Sequence, residues 1–248
     1  MVKGLDTFQK YFADYEEQYV LIGGAACDIL FESNEVNFRA TRDLDMVLIV
    51  EALTPEFGEK FWKFIVDGKY RNKATNGSNP QFYRFDKPED DNFPKMIELF
   101  CRSDFKLKDA KGITPIHIDD EVSSLSAILL NDDYYKALLN GKEVRKGLSV
   151  LRPEYIILFK AKAYLDLKRQ KDLGEKVDSS DIKKHKKDVL RIASELMLEK
   201  VEELPIAVDA DIHSFIDLLE QEPFDQNSLK RFGLKNEDVV EVLKQVFG

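Results

Sequence analysis

The stretch Asp43–Val50, Asp-Leu-Asp-Met-Val-Leu-Ile-Val, holds six apolar residues in eight. It is too short for an ordinary helix, and beyond Met46 it has no polar side to turn towards water. A segment of this kind is stable as a central strand covered on both faces, the burial typical of α/β sheets. Its two aspartates lie two residues apart at the open end, so their side chains share one face. The rest of the fold has to cover this strand and also accommodate that pair of charges.

The flanking sequence supplies candidate cover. Residues 4–17 have helical spacing, with Leu5, Phe8, Phe12 and Tyr15 near one side. Tyr19–Ile22 is a short β-rich run that stops at Gly23-Gly24, and a helix is expected to follow from Ala25. Pro55 stands where a further helix can begin. Beyond the turn cluster at residues 76–80, Gln81–Lys87 and Lys95–Cys101 read as two strands joined by a long polar connection. Shorter strands are expected near Ile116–Ile118, Ser126–Leu130 and Leu148–Leu151. From Arg152-Pro153 the texture becomes helical. Two long helices are expected on either side of the linker 174–180, with Asp178 or Ser179 capping the second, and three shorter helices follow. The expected architecture is α/β (α+β): residues 1–151 form a small mixed β-sheet domain and residues 152–248 a helical one.

Composition narrows the classes of function. In 248 residues, 44% are hydrophobic and 33% charged, which fits a folded globular chain. No apolar run reaches the roughly 18 residues of a membrane span. The N-terminus lacks an apolar signal core, so a cytoplasmic protein with no membrane partner is expected. Cys27 and Cys101 have no metal-like spacing and read as buried free thiols. A net charge of −9 argues against broad electrostatic binding of nucleic acid, while leaving room for a local basic groove.

Taken alone, Asp43-Leu44-Asp45 is a polar strand end and Gly23-Gly24 a tight turn. Glu98 changes the balance. It interrupts Met-Ile-Glu-Leu-Phe, an apolar strand in which an unpaired charge is costly. It either pairs with Arg84 or Arg39, or joins Asp43 and Asp45 in a site for magnesium, with manganese as the alternative ion. Magnesium favours hard oxygen ligands and is bound by one or two carboxylates together with phosphate oxygens. Three carboxylates can hold two metal ions for an in-line displacement at phosphorus, with Glu98 positioned to take a proton. Gly23 and Gly24 permit a close backbone approach, and the helix that follows points free N–H groups at a phosphate.

Glycines after one strand, Asp-x-Asp opening the next and a carboxylate on a third form a pattern that resembles the DNA polymerase beta-like nucleotidyltransferase superfamily. Leu-Ile-Gly-Gly-Ala-Ala followed by Phe-Arg-Ala-Thr-Arg-Asp-Leu-Asp looks most like its bacterial AbiEii-type branch, toxins of type IV toxin–antitoxin systems with many uncharacterised relatives. The match covers about the first 100 residues. The resemblance implies catalytic and metal-binding roles for Asp43, Asp45 and Glu98. It also implies nucleotide-binding roles for Gly23, Gly24, Arg39 and Thr41, with Lys160 or Lys162 and Lys187-Asp188 contributed by the helical half. It further implies an NTP substrate, a tRNA or protein acceptor and an antitoxin partner. Many members carry a serine in the glycine turn; this chain has Gly24 and then Ala25, which leaves phosphate binding to backbone N–H groups. A small-molecule acceptor of the antibiotic type is the second enzymatic reading. A non-catalytic nucleotide-binding or interaction protein is the rival from another class.

The remaining polar features have two readings each. Lys160 and Lys162 either snorkel to water from an apolar helix or reach a phosphate. Lys183, Lys184, Lys186 and Lys187 form either a solvated face or a local phosphate patch. His185 has no evident ligand partner.

Overall fold

The computed structural model describes residues 2–33, 43–72, 82–101, 128–129 and 131–248. They fall into two compact units, one within Met1–Ile118 and Lys142–Leu151, the other within Asp119–Gly141 and Arg152–Gly248.

The first unit is a mixed sheet with helices. Its strands are β1 (Tyr19–Ile22), β2 (Asp43–Leu48), β3 (Arg71–Asn72), β4 (Phe82–Asp86), β5 (Met96–Cys101), β6 (Lys142–Arg145) and β7 (Leu148–Leu151), and its helices are α1 (Leu5–Phe12), α2 (Gly23–Ser33) and α3 (Pro55–Asp67). Among the described residues the strand order is β3-β4-β5-β2-β1-β7-β6. Strand β2 runs parallel to β5 and antiparallel to β1, and β1 runs parallel to β7. The apolar strand therefore sits inside the sheet, and from Met46 to Leu48 it is fully buried. Strands β4 and β5 pair antiparallel, as their long connection suggested.

Helix α1 ends sooner than its spacing suggests. Asp14 adopts φ 72, a left-handed conformation that breaks the helical run, and a short 3-10 turn at Glu16–Gln18 leads into β1. The buried Gln18 Oε1 accepts the Thr54 N–H at 3.0 Å, and Thr54 Oγ1 in turn accepts the Phe57 N–H at the start of α3. Phe8 and Phe12 of α1 meet Tyr19 of β1 and Phe64 of α3 edge-on or tilted, and Phe12 also meets Phe57 and Phe61. This aromatic layer covers the sheet, and every ring in it is fully buried.

The second unit contains α4 (Asp132–Asn140), α5 (Pro153–Asp172), α6 (Ser179–Glu195), α7 (Ile206–Gln221), α8 (Gln226–Phe232) and α9 (Asn236–Phe247). Helix α5 is buried on all sides from Pro153 to Phe159 and packs against α4, α6 and α7. Asp178 caps α6 by accepting the Ser180 N–H. The hairpin β6–β7 lies in the first unit and α4 in the second, so the chain crosses between units more than once.

Of the shorter strands expected, Leu148–Leu151 is a strand, and Ile116–Ile118 lies outside the described residues. Within Ser126–Leu130, Ile128 and Leu129 are helical rather than extended. Their carbonyl direction explains the difference, since Ile128 O accepts the Asn131 N–H in a tight turn and Asn131 then caps α4. Cys27 is a buried free thiol. No helix among the described residues is long and apolar enough to cross a membrane.

Phe12 touches more of the aromatic layer than its neighbours do. Phe12→Ala is expected to cost about 3–5 kcal/mol in denaturant unfolding, in the range of buried Phe truncations. A cost under about 1 kcal/mol would show that the layer closes around the gap.

Candidate functional site

Pairing register builds the site. Asp45 of β2 lies opposite Ile22 of β1 on one side and Glu98 of β5 on the other. Glu98 lies opposite Arg84 of β4. Directly paired residues project from the same sheet face, so Arg84, Glu98 and Asp45 form a row across three adjacent strands. Asp43 lies on that face one step along β2, opposite Met96. Gly23 follows Ile22 and closes the row on its β1 side.

Gly23 meets two requirements that favour glycine. Its φ of 61 lies in the left-handed region, and a Cβ placed on it would stand 2.1 Å from Asp45 Oδ2. The strand-to-helix turn is therefore folded directly against the Asp45 carboxylate. Gly24 is buried in the first turn of α2.

Glu98 is the most perturbed group in the row. It is buried, and Arg84 donates to its Oε1 through Nε at 2.8 Å and through a terminal nitrogen at 2.5 Å. Its pKa is nevertheless pushed up from 4.5 to about 8, first by burial and then by the negative charge of Asp45, with a hydrogen bond to Asp45 acting in the same direction. Arg84 opposes the shift. It reaches only one carboxyl oxygen and keeps 25% of its side chain exposed, so it offsets only part of the effect. Two like charges on paired positions cannot both ionise cheaply, and Glu98 keeps its proton to higher pH than an ordinary carboxyl does.

Three of the expected residues are thus brought together: Gly23, Asp45 and Glu98. Asp43 stands beside them on the same strand face. Of the alternatives for Glu98, pairing with Arg84 is present among the described residues. Among the described residues no three His, Cys, Asp or Glu side chains converge into a group that would hold a metal ion. Arg39 and Thr41 lie outside the described residues. Lys160 and Lys162 belong to the second unit. There Lys160 Nζ pairs with Asp188 Oδ2 at 3.0 Å, both side chains largely buried. Lys162 bridges Asp166 and Asp211 at 3.1 and 3.2 Å. The snorkelling reading fails for Lys160, because its charge is neutralised inside the unit by the Asp of the Lys187-Asp188 pair. Asp28, buried within α2, attracted no notice in the sequence. The signal available was a charge inside the apolar run Ala-Ala-Cys-Asp-Ile-Leu-Phe.

No protein-family model matches the chain, and no curated protein matches it. Among solved structures, the crystal structure of an antigenic nucleotidyltransferase-like protein from Paracoccidioides brasiliensis is similar to it with a TM-score of 0.44 and 14% identity, over 97% of this chain and 93% of that chain.

Proposed function

We propose that the chain is a magnesium-dependent nucleotidyltransferase that moves a nucleoside monophosphate from an NTP to a hydroxyl. The observation that carries this reading is the packing of Gly23 against Asp45, which lies beside the buried Glu98 carboxyl in the pairing of β2 with β5. A glycine turn at a helix start receives phosphate, and carboxylates forced together call for a cation.

The donor set suits one hard divalent ion. Asp43 and Asp45 share a strand face and supply carboxylate oxygens only, and magnesium commonly takes one or two carboxylates plus phosphate. Bound there, magnesium neutralises phosphate charge and lowers the pKa of the attacking hydroxyl. The remaining roles belong to the chain itself. Backbone N–H groups of the α2 start receive the triphosphate. With the cation bound, Glu98 gives up the proton it otherwise keeps, and Arg84 then orients the ionised Glu98 carboxylate to take the proton from the acceptor hydroxyl. The acceptor oxygen forms its bond to the α-phosphorus, the bond from that phosphorus to the bridging oxygen breaks, and pyrophosphate leaves. Positioning and charge neutralisation provide most of the catalysis. The Arg-x-Thr-x-Asp-Leu-Asp resemblance supports an acceptor on tRNA or protein and a toxin–antitoxin setting.

Wild-type protein incubated with labelled NTPs, magnesium and total tRNA or cell extract is expected to label an acceptor. Asp43→Ala/Asp45→Ala should reduce the label by a factor of about a hundred or more. Equal labelling by the two proteins, or none from either with any NTP, would refute the proposal and favour a binding protein that does not turn over.

Gly23→Ala tests the turn separately. The left-handed backbone costs an alanine about 1–2 kcal/mol, and its methyl must displace Asp45. Stability is expected to fall by at least that amount and transfer by about tenfold or more, whereas wild-type activity in the variant would remove the turn from the site.

Glu98 also sets a pH dependence. Its folded pKa lies above its unfolded value, so its contribution to stability is complete below pH 4.5 and is lost as the pH rises through about 8. Without divalent cations, the thermal midpoint of the wild type should fall relative to Glu98→Gln across that window. A difference between the two proteins that stays constant with pH would contradict the raised pKa.

A further inference from the structure

The basic run 183–187 has no part in the carboxylate site, yet most of it faces a cavity. Helical spacing puts Ile182, Lys183, Lys186, Lys187 and Leu190 on one side of α6. That side, together with Tyr164, Lys168 and Lys171 of α5 and the segment Glu222–Asp225, lines a cavity of about 650 Å³ wholly within the second unit. Its volume falls in the range of about 300–1,000 Å³ typical of small-molecule sites.

The lining has two layers. Tyr164, Ile182, Leu190 and Phe224 are buried and give an apolar floor. Lys186 anchors one wall by donating to the carbonyls of Glu222 and Pro223, with its ammonium over the Tyr164 and Phe224 rings. Lys168 is spent on Glu222, and Lys171 donates to Ser179. Lys183 and Lys187 are one turn apart and exposed, and Lys187 lies near enough to Asp225 to help hold its carboxyl below the usual range. Across the whole lining, five lysines face three carboxylates, Asp172, Glu222 and Asp225. The lining as a whole therefore carries a surplus of two positive charges beside an apolar floor.

We propose that this cavity binds a small phosphate monoester with an apolar body. A monoester carries about −1.5 to −2 charge at neutral pH, which matches the excess, whereas a monocarboxylate leaves half of it unmet. Lysine serves phosphate as a point charge, with Lys183 and Lys187 placed to reach one group from adjacent turns. The apolar floor accommodates the rest of the ligand. The site rests on the second unit alone and is independent of the transferase reading.

The test is an amide NMR titration of the full chain with phenyl phosphate, inorganic phosphate and benzyl alcohol. Phenyl phosphate should give saturable shifts confined to residues 164–190 and 222–228. Inorganic phosphate should bind about tenfold more weakly or worse, and benzyl alcohol should leave these residues unmoved. Lys183→Gln/Lys187→Gln should weaken phenyl phosphate about tenfold or more at an unchanged thermal midpoint, and Lys183→Arg/Lys187→Arg should retain binding. Asp43→Ala/Asp45→Ala should bind as the wild type does, which separates this site from the first unit. Absent shifts, shifts insensitive to the two lysines, or tighter binding of a single-stranded RNA oligonucleotide at the same residues would each overturn the proposal.

Discussion

The first unit is organised around a repulsion. Parallel pairing of β2 with β5 sets Asp45 beside Glu98 on one sheet face. Shifting the register by one residue would turn one of them to the opposite face and separate the pair. Both strands bury residues on both faces here, so the pair is a charged break in an otherwise apolar pattern. The unit accommodates it by holding Glu98 neutral to higher pH than usual and by donating to Glu98 Oε1 from Arg84.

The surroundings make this arrangement rigid. Gly23 lies against Asp45, and a Cβ at that position would require the carboxylate to move. On the other side, Glu98 is held by two donors from Arg84. The aromatic layer of α1 and α3 fixes the strands beneath. Asp45 and Glu98 are thus held as neighbours between Gly23 and Arg84.

Much of this was legible in the sequence because it depends on local pattern. The burial of Met46–Leu48, the glycine turn and the common face of Asp43 and Asp45 follow from period and residue type. The misreadings were tertiary. Whether Glu98 meets Arg84 or Arg39 depends on which strand lies beside β5, and no spacing states that. Lys160 read either as a lysine seeking water or as one reaching a phosphate, because its partner Asp188 is 28 positions away on another helix. Helix α4 was read as strand at its approach, since Ile128-Leu129 is too short to show a period and only the Asn131 turn decides its conformation.

Charge pairing in the second unit sorts its lysines by what they can do. Lys160 and Lys162 are consumed by carboxylates within the unit, so losing either partner would leave a charge poorly solvated. Their contribution is therefore tied to holding α5 against its neighbours. Lys183 and Lys187 are exposed, and Lys187 interacts electrostatically with exposed Asp225, so changing them need cost the fold little. Residues free to change without structural penalty are where a chain can place recognition, and the apolar floor of Ile182, Leu190 and Phe224 beneath these two gives that recognition something to select besides charge.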